Sequence, residues 1–150
     1  MSIHDIRSAP SYRQTALVLD DQPLALAINS AMLRSAIPDL HIVSLTSPLD
    51  ALEWMQRRRV DLIVMDYRMQ EMDGTYFVSE VRNISTNRIP SIIVITAVTD
   101  RKIHEQLHAV GVAASFVKPA PWSHFSLACR NLLENCRKDI ADGPESRMFA

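Results

Sequence analysis

The chain is built on short, unbroken apolar runs, each ending at a polar or charged residue. Leu62 to Met65 reads L-I-V-M and stops on Asp66. Thr15 to Asp20 reads T-A-L-V-L-D, and Asp21 extends its acidic end. Ser91 to Thr96 reads S-I-I-V-I-T. His41 to Leu45 and Ala114 to Val117 are shorter, and Lys118-Pro119 follows the second of them. Runs of this length, rich in branched side chains, predict strands buried on both faces. Helical patterns fill the intervals. Pro23 opens one to about Ile37, where Pro38 stops it. Ser47-Pro48 opens a second to about Arg58. A third covers Thr75 to Ile84 after Asp73-Gly74. Thr99-Asp100 caps a fourth to about Val110, which Gly111 ends. Pro121 opens a fifth to about Asp139. Ser85 to Pro90 is turn material.

Strand and helix patterns alternate in this way five times, the signature of a parallel sheet covered on both faces. Right-handed crossovers leave few topologies. The expected division is an N-terminal arm over 1–14, one folded unit over 15–139 and a C-terminal tail over 140–150, where Gly143-Pro144 interrupts the pattern. No glycine-rich phosphate loop follows the first strand, so a dinucleotide-binding version has no support.

Composition narrows the classes. The 150 residues are 47% apolar and 22% charged, ordinary for one globular domain. A net charge of −1 gives no electrostatic case for nucleic acid or an anionic membrane. No apolar run reaches membrane-spanning length, and Met1 to Gln14 has no signal-peptide core, so a cytoplasmic location is expected. Cys129 and Cys136 lie two turns apart on the last helix, roughly 10 Å between Cα atoms and too far to bridge. They are expected as packed thiols of a reducing compartment.

The candidate chemistry comes from lining up the strand ends. The first gives Asp20 and Asp21, the third Asp66, the fourth Thr96 and the fifth Lys118. In a parallel sheet these ends share one edge, where open α/β sheets place their sites. Two carboxylates about 4 Å apart repel by roughly 4 kcal/mol at an effective dielectric of 20, so positive charge must share the site. Lys118 supplies one charge. A hard divalent cation with oxygen ligands supplies two more, and Mg²⁺ fits best. No Cys/His spacing suits zinc. A carboxylate beside such a cation is a competent nucleophile toward phosphorus, with Lys118 and Thr96 placed to hold the transferring oxygens.

The set L-D-D at Leu19 to Asp21, M-D at Met65-Asp66, M-D-G at Met72 to Gly74, T-A at Thr96-Ala97 and K-P at Lys118-Pro119 resembles the receiver domain of two-component response regulators. The resemblance runs from about Thr15 to Cys136. It implies a flavodoxin-like (βα)5 doubly wound parallel sheet in strand order 2-1-3-4-5. By position it implies that Asp66 is the phosphoacceptor. Asp21 and Asp66 bind Mg²⁺ directly, the backbone carbonyl of Arg68 completes the protein ligands, and Asp20 acts through a metal-bound water. Thr96 and Lys118 contact the phosphoryl group. The implied partners are a histidine kinase or histidine phosphotransfer protein, and a downstream protein at the fourth helix, fifth strand and fifth helix. Asp66-Tyr67-Arg68-Met69 further resembles receivers that precede cyclic-di-GMP phosphodiesterase domains.

Two positions depart from the family. Gln70 stands where proline is usual, which is expected to loosen the loop. Ser115 stands where the switch aromatic is usual, and Phe116 follows one place later. Adjacent strand residues face opposite sides, so Phe116 is expected in the core. His104 and His108, four apart on the fourth helix, read as solvated or partner-facing rather than as metal ligands. On the first helix the expected core stripe is Ala25, Ile28, Met32, Leu33 and Ala36. Leu24, Ala27 and Ala31 form a second apolar line beside the acidic cleft, suited to docking a helical phosphodonor. Two rival readings are weighed. A haloacid-dehalogenase-type phosphatase needs Asp-x-Asp at its nucleophile, which Asp66-Tyr67-Arg68 lacks. A pseudo-receiver that never takes phosphate is disfavoured by the complete acidic set.

Overall fold

The structure, a computed structural model, describes residues 13–85 and 88–148, with side chains to residue 139. Five strands alternate with five helices: β1 Thr15–Leu19, α1 Pro23–Ala36, β2 His41–Leu45, α2 Pro48–Arg57, β3 Leu62–Met65, α3 Gly74–Ile84, β4 Ser91–Thr96, α4 Arg101–Ala109, β5 Ala114–Val117 and α5 Trp122–Met148. All strand pairs are parallel, and the order is β2-β1-β3-β4-β5. This is the flavodoxin-like order that the motif set implies.

The unbroken apolar runs follow from a core on each face. Leu17, Leu19, Ile63, Met65, Ile92 and Val94 pack with Ala51 of α2, Phe77, Val78 and Val81 of α3, and Leu107 of α4. Their alternates Ala16, Val18, Leu62, Val64, Ile93 and Ile95 pack with Leu33 of α1 and with Phe125, Cys129 and Leu133 of α5. A strand covered on both sides has no polar alternation to show. Phe116 belongs to the second core, with its ring edge-on to Phe125 at 6.4 Å. Ser115 pairs with Val94 of the first core and so faces the α4 side.

Local chemistry sets the helix starts. Ser47 accepts from the Asp50 N–H, and Asp73 accepts from the Tyr76 N–H. Gly111 ends the α4 region at φ 107°, a conformation that glycine adopts without steric cost. Burial pushes the Cys129 thiol up to about 12 and that of Cys136 up to about 11, the charge of Asp61 adding to the second. Both are free, buried and poor nucleophiles at neutral pH.

Three expectations change. The α1 stripe is rotated: Asn29, Ser30 and Leu33 are buried, while Ile28 is 51% exposed. Ser30 is held by Ser44 on β2, Oγ to Oγ 2.8 Å, a contact that apolar periodicity does not register. Helix α5 continues to Met148 instead of ending near Asp139. Glycine and proline lower helix propensity by about 1 and 3 kcal/mol without forbidding the conformation, and the good helix formers Ala141 and Glu145 stand close on either side of the Gly143-Pro144 pair. Of the expected arm, Met1 to Tyr12 lie outside the described residues. Arg13 and Gln14 belong to the fold: Arg13 Nε donates to the Asp39 carbonyl at 2.6 Å, and buried Gln14 donates to the Leu133 carbonyl at 2.9 Å.

Candidate functional site

The C-terminal strand edge collects the expected side chains. The parallel ladder runs just past the strands and fixes their bases: Asp66 N–H donates to the Leu19 carbonyl at 3.2 Å, and Lys118 N–H donates to the Thr96 carbonyl at 2.8 Å. The Lys118–Pro119 peptide is cis. From this base Lys118 Nζ reaches Asp66 Oδ2 at 2.9 Å and Asp20 Oδ2 at 3.2 Å. Its side chain is 28% exposed, while those of Asp20 and Asp66 are 0% and 10% exposed, so the lysine is the least buried of the three.

The remaining carboxylate oxygens take backbone donors. Asp20 Oδ1 accepts from Gln22 N–H at 2.9 Å, and Asp66 Oδ1 accepts from Arg68 N–H at 3.3 Å. Asp21 lies on the rim and accepts from Gln70 N–H at 3.1 Å through Oδ2. This corrects the expectation for Gln70. A proline there has no N–H to give, whereas glutamine ties the loop to an acid of the cleft. Gly74 allows the same loop to lie close, because a Cβ there would sit 3.0 Å from the Tyr67 ring. Asp73 is a helix cap; its bonds from Tyr76 N–H and Thr75 Oγ1 hold its carboxyl below the usual value of 3.8.

Thr96 is buried at the end of β4, and its Oγ1 accepts from Val98 N–H at 3.3 Å. Thr96 and Asp66 line one cavity of about 350 Å³, with Arg68, Ala97 to Asp100 and Ile103 around it. Asp66, the phosphoacceptor candidate, and Thr96 therefore border the same volume.

Electrostatics reflects the crowding. Burial raises the Asp20 carboxyl above 3.8, opposed by the Gln22 hydrogen bond and the Lys118 charge, with the Asp66 charge adding to the rise. Burial alone would lower the Lys118 ammonium, but the hydrogen bond and charge of Asp66, then those of Asp20, outweigh it and raise it above 10.5. The folded protein thus holds the Asp20 proton more tightly than the unfolded chain. The stabilising contribution of that proton is present at acid pH and is lost as pH rises from 3.8 through the raised folded value. Asp20→Asn should remove this loss. Without metal, the melting temperature of the variant should gain on the native protein as pH is raised from about 4 to about 7. A difference that does not change with pH would contradict the crowding.

Among the described residues, no group of three or more His, Cys, Asp or Glu side chains forms a ready cation cage. Lys118 and the backbone N–H groups hold the acids instead. The donor set still fits Mg²⁺, which is held by one or two carboxylates and otherwise keeps its waters. Asp21 and Asp66 supply hard oxygens, each accepting from an N–H of the loop after β3, and Asp21 is half-buried. The sequence missed two contacts: the Gln70 amide on Asp21, and hydrogen bonds that join His104 and His108 to Ser115. The only signals were a missing proline and a missing aromatic.

Fold and strand-edge residues together define a receiver module of two-component signalling, and the chain belongs to the response regulator receiver domain family, whose model matches residues 16–128. The cyclic di-GMP phosphodiesterase response regulator RpfG of Xanthomonas campestris pv. campestris is 36% identical over 118 residues, 79% of this chain and 31% of that protein. A protein-glutamate methylesterase/protein-glutamine glutaminase of Nocardioides is 36% identical over 106 residues, 70% of this chain and 28% of that protein. The chain spans about a third of the length of these curated relatives. Among solved structures, the signal receiver domain of an HD domain-containing protein from Pseudomonas fluorescens matches at TM-score 0.75 and 22% identity, covering 85% of this chain and all of that one. The receiver domain of sensor histidine kinase PA1611 from Pseudomonas aeruginosa matches at TM-score 0.71 and 24% identity, covering 82% and 99%. That structure holds a magnesium ion coordinated in its active-site cleft. No helix among the described residues is long and apolar enough to cross a membrane.

Proposed function

We propose that this receiver takes a phosphoryl group from a phosphohistidine onto Asp66 and signals by the conformational change that follows. The observation that carries this reading is Lys118 Nζ seated on both Asp66 and Asp20 beside the cavity that Thr96 shares. Asp21 and Asp66 would hold Mg²⁺ with the Arg68 carbonyl, and Asp20 through water. The cation would neutralise charge on the transferring oxygens. An Asp66 carboxylate oxygen attacks phosphorus, the P–N bond breaks, and the imidazole nitrogen of the donor keeps the electron pair. Lys118 moves from Asp66 to a phosphoryl oxygen, and the Thr96 hydroxyl donates to another. Beryllofluoride, which mimics an aspartyl phosphate, tests the reading: with Mg²⁺ it should shift the amide resonances of Asp66 to Gly74, and no response would favour a pseudo-receiver.

The donor is proposed to be a histidine kinase or phosphotransfer protein docking on α1. Leu24 is 74% and Ile28 51% exposed there, and Ala27 and Ala31 are exposed beside them. An apolar patch of this kind suits helix-against-helix packing. Leu24→Glu should slow transfer from the kinase by about tenfold or more, the effect of losing roughly 1.4 kcal/mol of docking. Labelling by acetyl phosphate should stay at the native rate, and equal slowing with both donors would argue against docking. For output, Val117 and Trp122 are exposed on β5 and at the start of α5, supporting a partner surface along α4, β5 and α5.

A further inference from the structure

Ser115, where receivers carry an aromatic, lies in a chain of hydrogen bonds. His104 Nε2 meets the Val98 carbonyl at 2.8 Å, and His104 Nδ1 meets Ser115 Oγ at 2.7 Å. Ser115 Oγ meets His108 Nε2 at 3.3 Å, and His108 Nδ1 meets the Val112 carbonyl at 3.1 Å. The network therefore joins the loop before α4, α4 itself, β5 and the loop after α4. Its first member is already tied to the site, because Val98 N–H donates to Thr96 Oγ1.

We propose that His104 and Ser115 act as positioning residues that carry the state of Thr96 to the α4–β5 face, ending at His108, in place of an aromatic side chain. This rests on the receiver reading above. When the Thr96 hydroxyl turns to a phosphoryl oxygen, its bond to Val98 N–H must loosen or follow. The Val98 carbonyl belongs to the same residue, so the His104 ring that it anchors feels the change. Ser115 Oγ, shared between the two rings, passes it to His108, which is exposed. Phe116 cannot take this part, since it packs on Phe125 on the opposite side of the sheet.

Both end carbonyls can only accept, so each ring turns an N–H to its carbonyl, and the Ser115 hydroxyl stands between the two inner ring nitrogens.

The test is NMR of the full chain, native and as Ser115→Ala and His104→Phe, following loop amides and histidine rings. Beryllofluoride with Mg²⁺ should shift Asp66 to Gly74, Val98 and the His108 ring in the native protein. In both variants the Asp66 to Gly74 shifts should persist while the His108 ring shift is lost. An undiminished His108 shift in both variants would overturn the relay and leave the receiver reading intact. No beryllofluoride response anywhere in the native protein would overturn both.

Discussion

Lys118→Met should cost the metal-free protein about 3–5 kcal/mol in urea unfolding, the scale for stripping one partner from a buried ion pair. The reason is what remains. Asp20 and Asp66 are 0% and 10% exposed at the side chain, and Lys118 Nζ is within 3.2 Å of both. Methionine keeps the length of the stem and removes the charge. Two carboxylates in so dry a place repel by roughly 4 kcal/mol if about 4 Å apart at an effective dielectric of 20. One of them then protonates more readily, so the loss should shrink as pH falls toward 4. Added Mg²⁺ should return part of the stability, because a cation bound only by the folded state stabilises it by mass action. A variant as stable as the native protein at neutral pH would mean that the lysine is a surface ornament.

Asp66→Asn should abolish labelling by every phosphodonor. Replacing a nucleophile lowers rate by at least about a thousandfold in enzymes whose parts act together, and an amide oxygen is a far poorer nucleophile than a carboxylate. The variant should still fold: Lys118 keeps Asp20, and the amide oxygen can still accept from Arg68 N–H. Circular dichroism should therefore be native-like while phosphoryl incorporation falls to background. Labelling that survives in a folded variant would place the acceptor elsewhere.

How much of this was legible in the sequence depends on the kind of signal. Strand ends were legible because an apolar run that stops on Asp66 or Thr96 marks both the buried segment and the edge it reaches. Asp20, Asp66 and Lys118 could be brought together before any coordinates because the parallel order leaves one edge for all three. The face that α1 buries was not legible, since Asn29 and Ser30 point inward and are polar. The end of α5 is not legible either, because Gly143-Pro144 weakens a helix without ending it here. The Gln70 amide on Asp21 was hidden for a different reason. Every non-proline residue has an N–H, and only the fold decides where it points. His104, Ser115 and His108 were each noticed, but their contact depends on the register of β5 against α4, which spacing along the chain does not encode.

The direct test is to incubate the native protein with acetyl phosphate and Mg²⁺, trap the acyl phosphate by borohydride reduction, and locate the reduced residue by peptide mass spectrometry. Reduction confined to Asp66, absent without the cation, is the predicted result. Reduction at Asp20 or Asp21, or none under conditions that keep the protein folded and magnesium-bound, would contradict the assignment of Asp66 as the phosphoryl acceptor.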